Sequence, residues 1–148
     1  MPERMYSASF ADVAVSAVQD LFQLGAASNV GITIHQVRIG CEATVSEALR
    51  IRIARATAGT VAGGVTPRAL DTGFATADTL VDINDTTVLT IGNILWEDWF
   101  NVVTGFNYFP TPETRPGIPG GGLFVINLPA APGGAIDMSG SIIFSERG

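Results

Sequence analysis

The most constraining stretch of this chain is Ile94 to Pro116, ILWEDWFNVVTGFNYFPTPETRP, which holds both tryptophans and an alternating aromatic run that stops abruptly in prolines. Taken by parity, Phe100, Val102, Thr104, Phe106 and Tyr108 share one face of an extended strand. Asn101, Val103, Gly105, Asn107 and Phe109 share the other. Pro110, Pro112, Pro116 and Pro119 cannot donate to a sheet ladder and hold φ near the polyproline value, so the strand ends there in a stiff, extended loop. Gly117 and Gly120 to Gly122 restore the freedom the loop needs to return to the sheet. Both tryptophans, Trp96 and Trp99, stand just before the run, and the spacing predicts that their rings pack in the core.

A chain of 148 residues suits one domain, spanning 1–148. Such a domain buries roughly 68–70% of its unfolded surface, enough for a core that needs no disulfide. Only 15% of the residues are charged and 47% are hydrophobic, against about 25% charged in ordinary soluble domains. No apolar run reaches the length of a membrane span, and the N-terminus lacks the basic-then-apolar pattern of an export signal. Burial against other subunits is the expected explanation for so few charges. The net charge of −6 comes from 14 acidic residues against 8 arginines and no lysine. A direct nucleic-acid partner is therefore not expected, since phosphate neutralisation needs a basic face.

From Met5 to Gly25, Phe10, Val13, Ala14, Ala17, Val18, Leu21 and Phe22 fit an amphipathic helix, but the alternation of Tyr6, Ala8 and Phe10 fits strands. Two strands broken near Ser16-Ala17 agree better with the β character of everything that follows. Along Val30 to Ile39 the apolar parity switches, which predicts a bulge near His35-Gln36. Leu49, Ile51 and Ile53 alternate with Arg50 and Arg52, a half-buried strand whose arginines should pair with acids of a neighbouring strand or subunit. Residues 58–85 read as a long excursion with little regular structure, of the kind that is functional or held by partners. Thr86 to Trp96 is apolar in both parities, which predicts a strand covered on both faces, and Glu97-Asp98 reads as a polar corner after it. Leu123–Leu128 and Ala135–Glu146 are the last strands, with Met138, Gly140, Ile142 and Phe144 on one face.

Seven or eight short strands with glycine and proline turns predict an all-β, antiparallel sandwich of jelly-roll type, with long loops at about 58–85 and 110–122. Phe100, Val102, Phe106, Met138, Ile142 and Phe144 are expected in one core between two sheets. No catalytic constellation stands out. His35 and Cys41 are each single, so neither a multi-histidine metal site nor a cysteine-based zinc site is expected, and GGVTPR and GIPGGG lack the context of a phosphate-binding loop. No catalytic, cofactor-binding or metal-ligating residue is expected.

The segments FADVAVSAVQDLFQL, LRIRIAR, FNVVTGFNYFPTPETRP and LPAAPGGAIDMSGSIIFSE together resemble small structural proteins of tailed-bacteriophage and prophage virions. The resemblance runs from about Tyr6 to Glu146 apart from the excursion between Gly59 and Asp85. It implies a non-enzymatic protein, made in the host bacterial cytoplasm, that decorates or cements the capsid exterior by binding the major capsid protein as a homotrimer. The surfaces then free to meet a partner are the loops at 58–85 and 110–122. Pro110, Pro112, Glu113, Arg115 and Pro116 are the expected partner-binding residues, because prolines reduce the entropy lost on docking. A head- or tail-fibre module that binds a host glycan through Trp96, Trp99 or Tyr108 is the alternative, and a hydrolase is the third class.

Overall fold

The computed structural model describes residues 3–148. Within them are eleven strands: β1 (Arg4–Val15), β2 (Gln19–Gly25), β3 (Gly31–Glu42), β4 (Ala48–Ala58), β5 (Arg68–Ala69), β6 (Leu80–Asp85), β7 (Thr90–Asn101), β8 (Phe106–Tyr108), β9 (Gly117–Ile118), β10 (Leu123–Leu128) and β11 (Ile136–Arg147). One sheet runs β5-β1-β11-β3-β8, with β9 also on β3, and the other runs β6-β2-β10-β4-β7. Every pairing is antiparallel. Leaving aside the inserted β5, β6 and β9, the remaining eight strands follow the order of a jelly roll: consecutive strands cross the sandwich except β4 and β7, which pair within one sheet, and the first and last strands pair side by side.

The sheets meet over a continuous apolar core. Phe100, Val102, Phe106, Met138, Ile142 and Phe144 all lie in it, as do Tyr6, Phe22, Ile34, Ile53 and Phe124. The opening segment forms two strands, β1 and β2, separated by Ser16 to Val18. A helix there would bury one stripe, whereas β2 is buried along all seven residues. Its outward residues lie under a chain segment that returns from afar.

That segment belongs to the excursion at 58–85, which has little regular structure beyond β5 and β6 but is fastened at both ends. Leu80 to Asp85 form the edge strand β6 against β2, and Val61 packs with Leu89 over Ala54 and Val125 on the outer face of the sheet. Asp82 fastens it, its two carboxylate oxygens accepting the Ala62 and Gly64 N–H groups at 2.7 Å each. Beneath it, the fully buried Asp20 accepts hydrogen bonds from Asn127 Nδ2, Gln23 Nε2 and Leu89 N, all at 2.8 Å. Burial pushes the Asp20 carboxyl above the ordinary aspartate range, against the pull of those three donors. The two ends of the excursion thus dock on the sheets, while residues 68–78 between them stay largely exposed.

The aromatic run is not one strand. β7 ends at Asn101, four residues turn, and β8 resumes in the opposite sheet. The Asn101 carbonyl accepts N–H groups from Thr104 and Gly105, and its side-chain oxygen accepts that of Val103. Gly105 sits at φ +76°. Asn and Gly at these offsets are turn chemistry that the alternation of larger residues conceals. Phe100 and Phe106 still meet in the core, with ring centroids 5.9 Å apart, because the turn carries one across from the other.

β7 also departs from the expectation of two covered faces. It is an edge strand, exposed from Asn93 to Trp99. Its mixed parity arises from three register shifts against β4, between Ile53 and Ala58, which rotate successive residues from one face to the other. Glu97 and Asp98 lie within this strand and form no corner. Glu97 Oε1 stands 2.6 Å from Arg50 Nε and 3.3 Å from Arg52 Nε, so both arginines of the β4 face share one acid on the neighbouring strand.

The bulge expected near His35-Gln36 is present, as a register shift between Ile143 and Phe144 opposite those residues. His35 Nε2 lies 2.9 Å from Ser145 Oγ, whose hydroxyl donates to the Glu3 carboxylate. Burial, reinforced by the nearby Arg115 charge and opposed by Glu3, holds the His35 imidazole below its ordinary value. A histidine depressed in the folded state takes up protons on unfolding, so its contribution begins to fall as pH drops below the unfolded value of about 6.5 and is lost as pH falls through the lower folded value. Thermal unfolding should accordingly show a lower midpoint at pH 5 than at pH 7.5. In His35→Gln this part of the slope should disappear, and an equal slope in both proteins would refute the assignment.

Candidate functional site

Both sheets end on the same side of the sandwich, in β7 and β8, and the 109–117 segment passes across the gap between them. The result is a cleft of about 790 Å³. One wall is β7, through Leu95 and Trp96; the other is Tyr108 with Phe109 and Pro110. Trp96 faces inward because it lies opposite Ile53, a core residue of β4, yet the edge leaves its side 47% exposed. Its ring meets that of Tyr108 at 5.7 Å between centroids and 53° between planes. Burial raises the Tyr108 phenol above its ordinary value.

Arg55, from β4, closes the floor by donating Nη2 to the Gly117 carbonyl at 2.8 Å, a bond between the second sheet and the returning loop. Arg115 lines the same cleft. Neither guanidinium forms an ion pair among the described residues, in contrast to Arg4, Arg50 and Arg52. Pro116 holds Arg115 in extended backbone, at φ −63° and ψ 127°, since the residue before a proline is biased away from helical angles.

The expected partner-binding residues are in one place but are not equivalent. Pro112, Glu113 and Thr114 form an exposed 3-10 turn. Hydrogen bonds from its own backbone N–H and from Thr111 hold the Glu113 carboxyl below the usual range, with a smaller pull from Arg115. Pro110 and Arg115 are half-buried, and Pro116 is buried, its carbonyl accepting the Ile34 N–H at 2.9 Å. Pro116 therefore anchors the loop to β3 and is not itself a contact surface. All but Pro112 line the cleft.

The tryptophans were expected in the core, and both are at the surface, Trp99 being 62% exposed. Strand parity predicts which residues point together, but not that the strand has no neighbour. The His35, Ser145 and Glu3 group escaped the sequence because its members are far apart in the chain. Ser145 is buried and lies between the other two, whereas a nucleophilic triad places the histidine in the middle. Cys41 is partly buried and its thiol is pushed up to about 11 by that burial, which keeps it protonated and a poor nucleophile. No family model, curated protein or solved structure matches this chain.

Proposed function

We propose that this protein is a non-enzymatic structural component of a tailed-phage virion, which decorates or cements the capsid exterior by binding the major capsid protein as a homotrimer. The observation that carries the reading is the unpaired edge β7, which presents Ile94, Leu95, Trp96 and Trp99 to solvent. Long apolar edges invite pairing and are normally blunted by charge, proline or a covering segment. Here the covering comes from other chains, in keeping with the 15% charged content. The loop tip Pro112–Thr114 supplies the capsid contact: it is exposed, proline-stiffened and anchored at Pro116, so little conformational entropy is lost when it docks. Individual contacts of this kind contribute on the order of 1 kcal/mol, and three linked copies reinforce one another.

The test replaces Pro112–Thr114 with Gly-Ser-Gly and leaves Arg115 and Pro116 intact. The variant should keep its fold and its trimer in sedimentation, while occupancy on shells lacking the native protein falls roughly tenfold or more. Unchanged occupancy would show that another surface docks, and a monomer at micromolar concentration would remove the trimer.

A further inference from the structure

We infer that the cleft between β7 and the 109–117 segment binds a sugar bearing a carboxylate, its ring against Trp96 and Tyr108 and its acid group at Arg55 and Arg115. The volume of about 790 Å³ lies within the range of small-molecule sites, roughly 300–1,000 Å³. The two rings come from the edges of different sheets and remain partly open to solvent. They form a platform for a flat, amphipathic ligand and not a closed pocket that an apolar side chain would fill. A pyranose presents such a C–H face with hydroxyls at its rim, and tryptophan and tyrosine are suited to surfaces that are apolar at one end and wet at the other.

The charges name the acid. In a chain of net charge −6, with 14 acids available, two arginines line one cleft without a carboxylate partner among the described residues. A guanidinium offers a planar fork of donors that fits a carboxylate in a bidentate way. The Arg55 fork is set in advance by its bond to the Gly117 carbonyl, and the Arg115 backbone by the anchored proline that follows it. That reduces the ordering cost on binding. Glu113, on the same cleft, accepts hydroxyl donors but repels a second negative charge, which disfavours a phosphate dianion relative to a carboxylate. The cleft shares Glu113 and Thr114 with the docking tip and Leu95 and Trp96 with the exposed edge of β7, so the sugar is bound by the chain before that edge is covered, and a titration of the free chain separates this inference from the capsid reading.

The experiment titrates the full chain with an oligosaccharide of alternating glucose and glucuronic acid, and with a neutral glucose oligosaccharide of equal length. Tryptophan fluorescence and calorimetry read the affinity, and chemical-shift changes at the Trp96 indole N–H locate the ligand in the unmodified protein. The acidic sugar should bind at least about tenfold more tightly than the neutral one, the worth of one charge-assisted hydrogen bond. Arg115→Gln should bring the acidic sugar to the neutral level without altering the neutral sugar's affinity. Trp96→Ala should abolish binding of both, and each variant should keep the parent's thermal midpoint. Failure of both sugars to bind, equal affinity for the two, or shifts away from Trp96 would overturn the inference. So would tighter binding of a glutamate-rich peptide through the same residues.

Discussion

Phe144→Ala should lower the unfolding free energy by about 3–5 kcal/mol, the range found when a fully buried phenylalanine is cut back in a core that cannot collapse. The site is rigid on every side. Phe144 has no exposed surface, lies between Tyr6 and Ile34 in the strand order β1-β11-β3, and stacks on the Tyr6 ring at 5.8 Å with 28° between planes. Tyr6 cannot slide into the space, because its hydroxyl donates to the Ala75 carbonyl at 2.9 Å. A loss of this size is a large fraction of the 5–15 kcal/mol that usually separates folded from unfolded domains. Urea unfolding should show the midpoint fall with little change in slope, and a loss below about 1 kcal/mol would mean that the two sheets do not close on this ring as described.

Gly105→Val should be nearly as damaging, at about 3 kcal/mol or more, although the residue is not part of the core. At φ +76° a β-branched side chain is in a region it rarely occupies, and the left-handed conformation alone costs roughly 1–2 kcal/mol. A Cβ would also stand 2.6 Å from the Ile39 carbonyl oxygen, a backbone atom of the central strand β3 that cannot rotate aside. Relief would have to come from moving β8 off β3, and with it Tyr108 out of the cleft. The measured loss should exceed that of Val103→Ala, in the same turn but 51% exposed. If the two were equal, the turn would have to adjust more freely than its hydrogen bonds to Asn101 allow.

Much of the architecture was legible in local patterns. The alternation of Tyr6, Ala8 and Phe10 placed β1, the parity switch after Ile34 placed the bulge, and Leu49, Ile51 and Ile53 marked the buried face of β4. Those patterns depend only on successive strand residues pointing to opposite faces. The same rule misled where strand geometry broke. The alternation from Phe100 to Tyr108 runs through a turn, because Asn101 and Gly105 happened to fall on positions that preserve the parity. The two-faced apolar pattern of β7 reflected register shifts and not two-sided burial.

The amino-acid sequence by itself determined an all-β chain, the shared core of Phe100, Val102, Phe106, Met138, Ile142 and Phe144, and the stiff proline loop, since strand alternation, apolar burial and the fixed φ of proline are properties of each residue and its immediate neighbours. Only the tertiary structure decided which strands lie at the edges, that the two ends of the 58–85 excursion dock on the sheets, and that Trp96, Tyr108, Arg55 and Arg115 line one cleft. Pairing of strands distant in the chain sets those outcomes. An edge and a central strand can carry the same local pattern, and the difference between them is the presence of a neighbour that the pattern does not encode.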